Sequence, residues 1–295
     1  MDARLVVSAS PHIRDSQNAR KVMWWVAAAL LPAAAASAYL FGPRSLLIMA
    51  LSVAGCLAVE ALSQLAFKRP ITVADGSAVV TGLLLAFICP ANSPWWMILI
   101  GAVIAIFLVK QLFGGLGYNI FNPALAARAV LLSSWPVFMT SWSEPVRSWL
   151  RVDAVSAASV LGLMKEASRA GLSYAPPGYL RLLLGDIPGS LGETCKAALL
   201  AGAILLMILK IVDWRIPLSF LAGLAALSAA LGRNPLVEVL AGGAILGAFF
   251  MATDMVTSPT TRTGRWIFGA ACGLLTALIR SYGCLLYTSP SPRDS

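Results

Sequence analysis

Long apolar runs separated by short polar breaks make up most of this chain. The runs extend from Val22 to Phe41, Leu46 to Phe67, Ala78 to Cys89, Trp95 to Leu112 and Pro123 to Phe138. A more polar stretch follows from Thr140 to Gly192, and then come Ala197 to Val212, Ile216 to Leu231, Leu236 to Ala252 and Trp266 to Ile279. A helix rising 1.5 Å per residue needs roughly 20 apolar residues to cross a bilayer, and the longer runs meet that length. The pattern predicts an all-α integral membrane protein with five segments, a loop and four more segments.

Two of the segments break the rule. Ala78 to Cys89 is only about 12 residues long, short of a full span, and stops at Pro90-Ala91-Asn92-Ser93-Pro94. Leu236 to Ala252 is rich in glycine and stops at Thr253-Asp254-Met255-Val256-Thr257-Ser258-Pro259. Each is followed by a tryptophan and then by an apolar helix ending in a basic residue, Lys110 or Arg280. Paired interruptions of this kind mark two repeats meeting near the midplane, and an odd number of helices per repeat makes the halves inverted. The expected architecture is therefore a 5+5 inverted-repeat bundle with two broken helices that line an interior site, since unpaired backbone cannot face lipid. Ordinary proline-kinked helices are the alternative. The divisions expected are a segment at 1–21, a first repeat at 22–139, an external loop at 140–192 and a second repeat at 193–283. From Cys284 the sequence abandons the pattern and resembles a translated sequencing adapter, so the last helix of the second repeat is expected to be missing.

Composition agrees. The 295 residues are 59% hydrophobic and 12% charged, with mean hydropathy +0.80, too little polar surface to cover a soluble globule. The net charge of +9 sits in scattered basic residues rather than one face, which excludes nucleic acid as a partner. With the N-terminus inside, alternate loops carry Lys68 and Arg69, Lys110, Lys210 and Arg215, and Arg262 and Arg265, against Arg44 and Arg233 in the opposite short loops. The positive-inside rule then places the long polar loop outside the inner (cytoplasmic) membrane. Ala36-Ser37-Ala38 resembles a signal-peptidase site, but the preceding run is long enough to be retained as a first helix. Five cysteines without a C-x-x-C pair and a single histidine offer no metal site.

Chemistry enters at Asp153-Ala154-Val155-Ser156-Ala157-Ala158-Ser159 in that loop. Ser159 offers a hydroxyl, Asp153 lies upstream, and Ala157 and Ala158 leave room for a bulky group; a solvated turn of small residues is the bland alternative. Within apolar segments the ionisable residues are Glu60, Arg128 and Glu238, with Asp254 just beyond the second broken helix. Their burial is costly, so they are candidates for an ion pathway, Asp254 most sharply. A structural Glu60–Arg128 ion pair is the alternative. The run Gly114-Gly115-Leu116-Gly117 follows no strand and reads as a helix breaker rather than a dinucleotide fingerprint.

The heptad resembles the Asp-x-x-Ser/Thr-x-Ala-Ser/Thr site at which a flavin transferase attaches FMN through its phosphate. Further stretches carry the same resemblance: Ser10-Pro11-His12-Ile13, Asp75-Gly76, Phe113 to Ala124, Gly189-Ser190-Leu191-Gly192-Glu193-Thr194, Trp214-Arg215-Ile216-Pro217, and Phe249 to Asp254 with Thr257-Ser258-Pro259-Thr260-Thr261. Together they are similar to the RnfD/NqrB family over Ser8 to Gly283. One departure falls at the critical place, where Ser159-Val160 replaces the family's usual Thr-Pro. The resemblance implies a membrane subunit of a redox-driven translocase that relays electrons between ferredoxin and NAD⁺ while exporting Na⁺ or H⁺. It also implies FMN on Ser159, a second flavin such as riboflavin as an open option, and partner subunits for the iron-sulfur and nicotinamide chemistry. Two rivals remain at this point. One is a secondary transporter or channel without redox role; the other is the corresponding membrane protein of the Na⁺-translocating NADH:quinone oxidoreductase, which has a longer N-terminal extension.

Overall fold

The computed structural model describes residues 18–145, 156–170, 175–193 and 195–283. It is a helical bundle. α1 (Ala19–Phe41) starts at Asn18, whose side chain accepts from the Arg20 N–H, and turns at Gly42 into α2 (Pro43–Ala66). Gly42 has φ 72°, a left-handed conformation that suits glycine, and Pro43 opens the next helix where its missing N–H costs nothing. Among the described residues α1 and α2 are the helices long and apolar enough to cross a membrane unaided.

The short third segment is confirmed as α3 (Ser77–Ile88), one of the most buried helices in the molecule. α4 (Trp95–Ala102) continues as a π-helix over Val103–Gln111, and the glycine run then breaks it with positive φ at Gly114, Gly115 and Gly117. α5 (Pro123–Ser134) is capped by the Asn122 side chain, which accepts from the N–H groups of Ala124 and Leu125. A short α6 (Pro136–Thr140) leads into the polar stretch.

The described parts of that stretch contain regular elements. β1 (Trp142–Ser143) pairs antiparallel with β2 (Ser156–Ala157), and Ser143 bridges to Gly189. Two helices follow, α7 (Val160–Arg169) and α8 (Tyr179–Leu184).

The second half contains α9 (Lys196–Ile208), α10 (Arg215–Ala230), α11 (Pro235–Leu240), α12 (Ala244–Leu246) with a π-helical extension over Gly247–Met251, and α13 (Arg262–Tyr282). The second broken segment stops before Thr253 as its pattern predicts, the helix ending at Met251, and it carries a further interruption at Ala241, Gly242 and Gly243, where Gly242 adopts φ 65°. The reason is steric: a Cβ on Gly242 would lie 2.9 Å from Leu161 and 3.1 Å from Arg280, so the chain bends where neighbours crowd it.

Close packing of small residues joins the elements. A Cβ on Gly202 of α9 would approach the Ala29 carbonyl of α1 to 2.0 Å, and one on Gly273 of α13 would approach the Phe220 carbonyl of α10 to 2.1 Å. Gly269 and Gly273 form a G-x-x-x-G face, the device that lets helix backbones touch where apolar burial alone gives no drive. The main apolar core runs through α1 to α5 and α9, with Leu30, Phe87, Ile98 and Leu131 fully buried. A small second core of Val160, Leu182, Ile187, Val237 and Ala241 fixes the start of α7 and α8 against the broken helix α11.

Candidate functional site

The heptad is held from both sides. β2 pins Ser156 and Ala157 to β1, and two residues later Ser159 caps α7: its Oγ accepts from the Gly162 N–H at 3.1 Å and its carbonyl from the Leu163 N–H at 2.9 Å. Ala158 is exposed and Ser159 is half-buried. Asp153 lies outside the described residues, as does the side chain of Ser156.

Ser159 lines a cavity of about 260 Å³. Its other walls bring four cations to the same space, Arg128, Lys165, Arg233 and Arg280, against the carboxylate of Glu193; Gly242 and Gly243 of the broken helix complete the wall. Sequence reading singles out Ser159 and Arg128 but misses Lys165, Arg233 and Arg280, which lie 6 residues or more from the heptad in sequence and reach it only through the fold. The available signal was Arg280 at the end of an apolar helix.

Two of these arginines hold the broken helices open. Arg128 Nη1 donates to the Ile88 carbonyl at 2.8 Å, at the end of α3, while the N–H groups of Gly192 and Leu191 donate to the Phe87 and Cys89 carbonyls at 2.8 and 3.2 Å. Arg280 donates to the Glu238 carbonyl and, through Nη2, to the Ala241 carbonyl at 3.1 Å, at the end of α11. Helix C-termini leave carbonyls unpaired and carry partial negative charge, so a guanidinium satisfies both needs at once. Glu238 is fully buried between Arg280, which donates to Oε2 at 3.1 Å, and Arg233, whose Nη2 lies 2.7 Å from Oε1.

The Glu60–Arg128 pair considered from sequence does not form. Glu60 instead takes Lys110, with Nζ 2.7 Å from Oε1, and Gln111 donates to the same oxygen at 3.0 Å; Lys110 also donates to Ser77 Oγ at 2.6 Å. Lys110 is thus buried in the bundle rather than a loop-end cation. The π-helix explains the change, because i→i+5 bonding rotates the last turn and brings Lys110 and Gln111 inward.

Asp254 lines a separate cavity of about 80 Å³ between the halves, together with Lys110, Ser77, Asn119, Asn122 and Thr253. Burial pushes its carboxyl above the usual carboxylate range, against hydrogen bonds from the Val256 N–H, Thr257 and Asn119 that favour the anion. Of the four ion-pathway candidates, Asp254 lines the cavity directly and Glu60 touches it through Lys110; Glu238 and Arg128 belong to the other site. No cluster of potential metal ligands occurs among the described residues.

Residues 6–288 match the model of the family described as NQR2, RnfD, RnfE. The chain is 46% identical to the D subunit of the Na⁺-translocating ferredoxin:NAD⁺ oxidoreductase complex of Acetobacterium woodii, over 96% of this chain and 87% of that protein. It is 40% identical to the D subunit of the proton-translocating ferredoxin:NAD⁺ oxidoreductase complex of Clostridium ljungdahlii, over 94% and 86%. It is 36% identical to the D subunit of the ion-translocating oxidoreductase complex of Escherichia fergusonii, over 94% and 89%. Through this match over nearly its whole length, the chain belongs to the NQR2, RnfD, RnfE family.

Proposed function

We propose that this chain is the D-type membrane subunit of an ion-translocating ferredoxin:NAD⁺ oxidoreductase and that it carries FMN covalently, through a phosphoester on Ser159 Oγ. The observation that carries the reading is the company Ser159 keeps: one hydroxyl at the wall of a cavity with Arg128, Lys165, Arg233 and Arg280. A phosphoester at that oxygen adds negative charge beside four cations and at the N-terminus of a ten-residue helix, both of which favour it. Serine and threonine hydroxyls form the same ester, so the departure from the family's threonine leaves the chemistry open.

FMN, when bound, supplies a ring that accepts and releases electrons. The chain's own residues anchor and orient. β2 and the Ser159 cap fix the attachment point, and the lining cations offset charge. Covalent attachment replaces binding energy with effective concentration at a site too shallow to enclose a whole flavin. A flavin transferase installs the group, and iron-sulfur and nicotinamide-binding partner subunits supply the chemistry for which no residues here are suited.

The finer architecture belongs to the same reading. α1 to α5 form one repeat, and α9, α10, the α11–α12 broken helix and α13 are the matching elements of an inverted second. The cavity lined by Asp254 and Lys110, with Glu60 behind it, forms part of the route for Na⁺ or H⁺, while Glu238 and Arg128 tie the broken helices to the flavin site. The chain sits in the inner membrane with the flavin site on the outer face.

Flavin fluorescence of the denatured chain in a gel, after co-expression with the transferase, tests the reading. A fluorescent band that survives denaturation is expected; a dark band returns a transporter without redox role to first place.

A further inference from the structure

The end of the bundle opposite Ser159 holds a cavity of about 420 Å³ that adjoins the Asp254 cavity, sharing Ile211, Val212, Thr253 and Met255 with its wall, and whose polar side has no role in the reading above. It is lined by Lys210, Asp213, Trp214, Ser258, Thr260 and Arg265, among others. We propose that this cavity binds the phosphodiester headgroup of an anionic membrane lipid.

Charge is the first ground. Asp213 is the resident anion, accepting from the Arg215 N–H and Arg215 Nη1, each at 3.0 Å, and from Arg265 Nη1. One carboxylate between two guanidiniums leaves positive charge over, and Lys210 adds to it, with no ion pair among the described residues. Ser258 and Thr260 bring hydroxyls to the same wall, and α10 and α13 both begin there, with their N–H ends and partial positive charge nearby.

Backbone strain is the second. Lys210 has φ 56° just past the end of α9, where its N–H donates to the Met207 carbonyl and the Ile211 N–H to the Leu206 carbonyl, each at 3.0 Å. Glycine is the residue that fits such a helix end without strain. Lys68, at the end of α2, shares the conformation; at Lys210 it sets the lysine on the wall of this cavity.

The surroundings identify a lipid rather than a soluble anion. Trp214 and Trp266 are exposed and packed edge to face at 5.7 Å, as tryptophans are at membrane-water boundaries, and Leu218 and Ile267 on the same two helices expose apolar surface for acyl chains. Basic pockets between helices at this level are suited to acidic lipid headgroups.

Native mass spectrometry of the full-length chain from nanodiscs containing equal phosphatidylglycerol and phosphatidylcholine tests this. The wild type is expected to retain phosphatidylglycerol selectively, and Lys210→Gly, which relieves the φ strain while removing the charge, to retain about fivefold less while melting no lower. Equal retention of both lipids, or unchanged retention in Lys210→Gly, overturns the proposal. So does displacement of the lipid by millimolar inorganic phosphate, which reassigns the site to a soluble anion.

Discussion

Glu60 and Lys110 occupy one desolvated site, each 2% exposed or less, and neither is tolerable there without the other. Removing one member of a buried pair strands a charge at a cost of about 3–5 kcal/mol, whereas replacing both with neutral groups of similar size is nearly free. Lys110→Met is therefore expected to lower the melting temperature of the detergent-purified protein sharply. Glu60→Gln together with Lys110→Met should recover most of the loss, and additive losses in the double variant would contradict the pairing. Asp213 behaves differently because it lies near the surface. Burial raises its carboxyl, but the Arg215 N–H and the Arg265 and Arg215 guanidiniums outweigh that and hold it below the usual value of 3.8. A depressed native value means its contribution to stability is present above pH 3.8 and disappears as pH falls through the native value. Melting curves of Asp213→Asn are expected to lie below wild type at neutral pH and to converge on it in strong acid.

At the scale of elements, the α10–α13 contact and the two arginine caps govern the architecture. Gly273→Leu places a side chain where even a Cβ lies 2.1 Å from the Phe220 carbonyl, so the two helices must separate. The expected outcome is loss of the monodisperse peak in size-exclusion chromatography, with Leu274→Ala on the same helix, at a partly exposed position, left unaffected. The short third segment and the helix-breaking glycine run were legible in sequence, because length, proline and glycine act locally. What was not legible depends on rotation and long-range approach. Lys110 reads as a loop cation because a π-helical turn cannot be seen in hydropathy, and Arg233 and Arg280 read as loop and helix-end charges because only the fold brings them to Ser159. The break at Ala241 to Gly243 escapes notice because the Gly-Gly pair sits inside a run that hydropathy treats as continuous.

Across the whole molecule, the proposed flavin site and the proposed ion route at Asp254 lie in separate cavities of one bundle, joined through the broken helices. Arg280 is the link on one side, since it lines the Ser159 cavity and also caps the end of α11. Sidedness can be checked at Ala158, which is exposed: Ala158→Cys should react with a membrane-impermeant maleimide added to intact spheroplasts, and labelling only after lysis would reverse the orientation. The most direct test of the central claim is mass spectrometry of the proteolytic peptide containing Ser159, after co-expression of the chain with a flavin transferase. A mass increase equal to esterified FMN, absent in Ser159→Ala, is the predicted result; an unmodified Ser159 peptide under those conditions would contradict it.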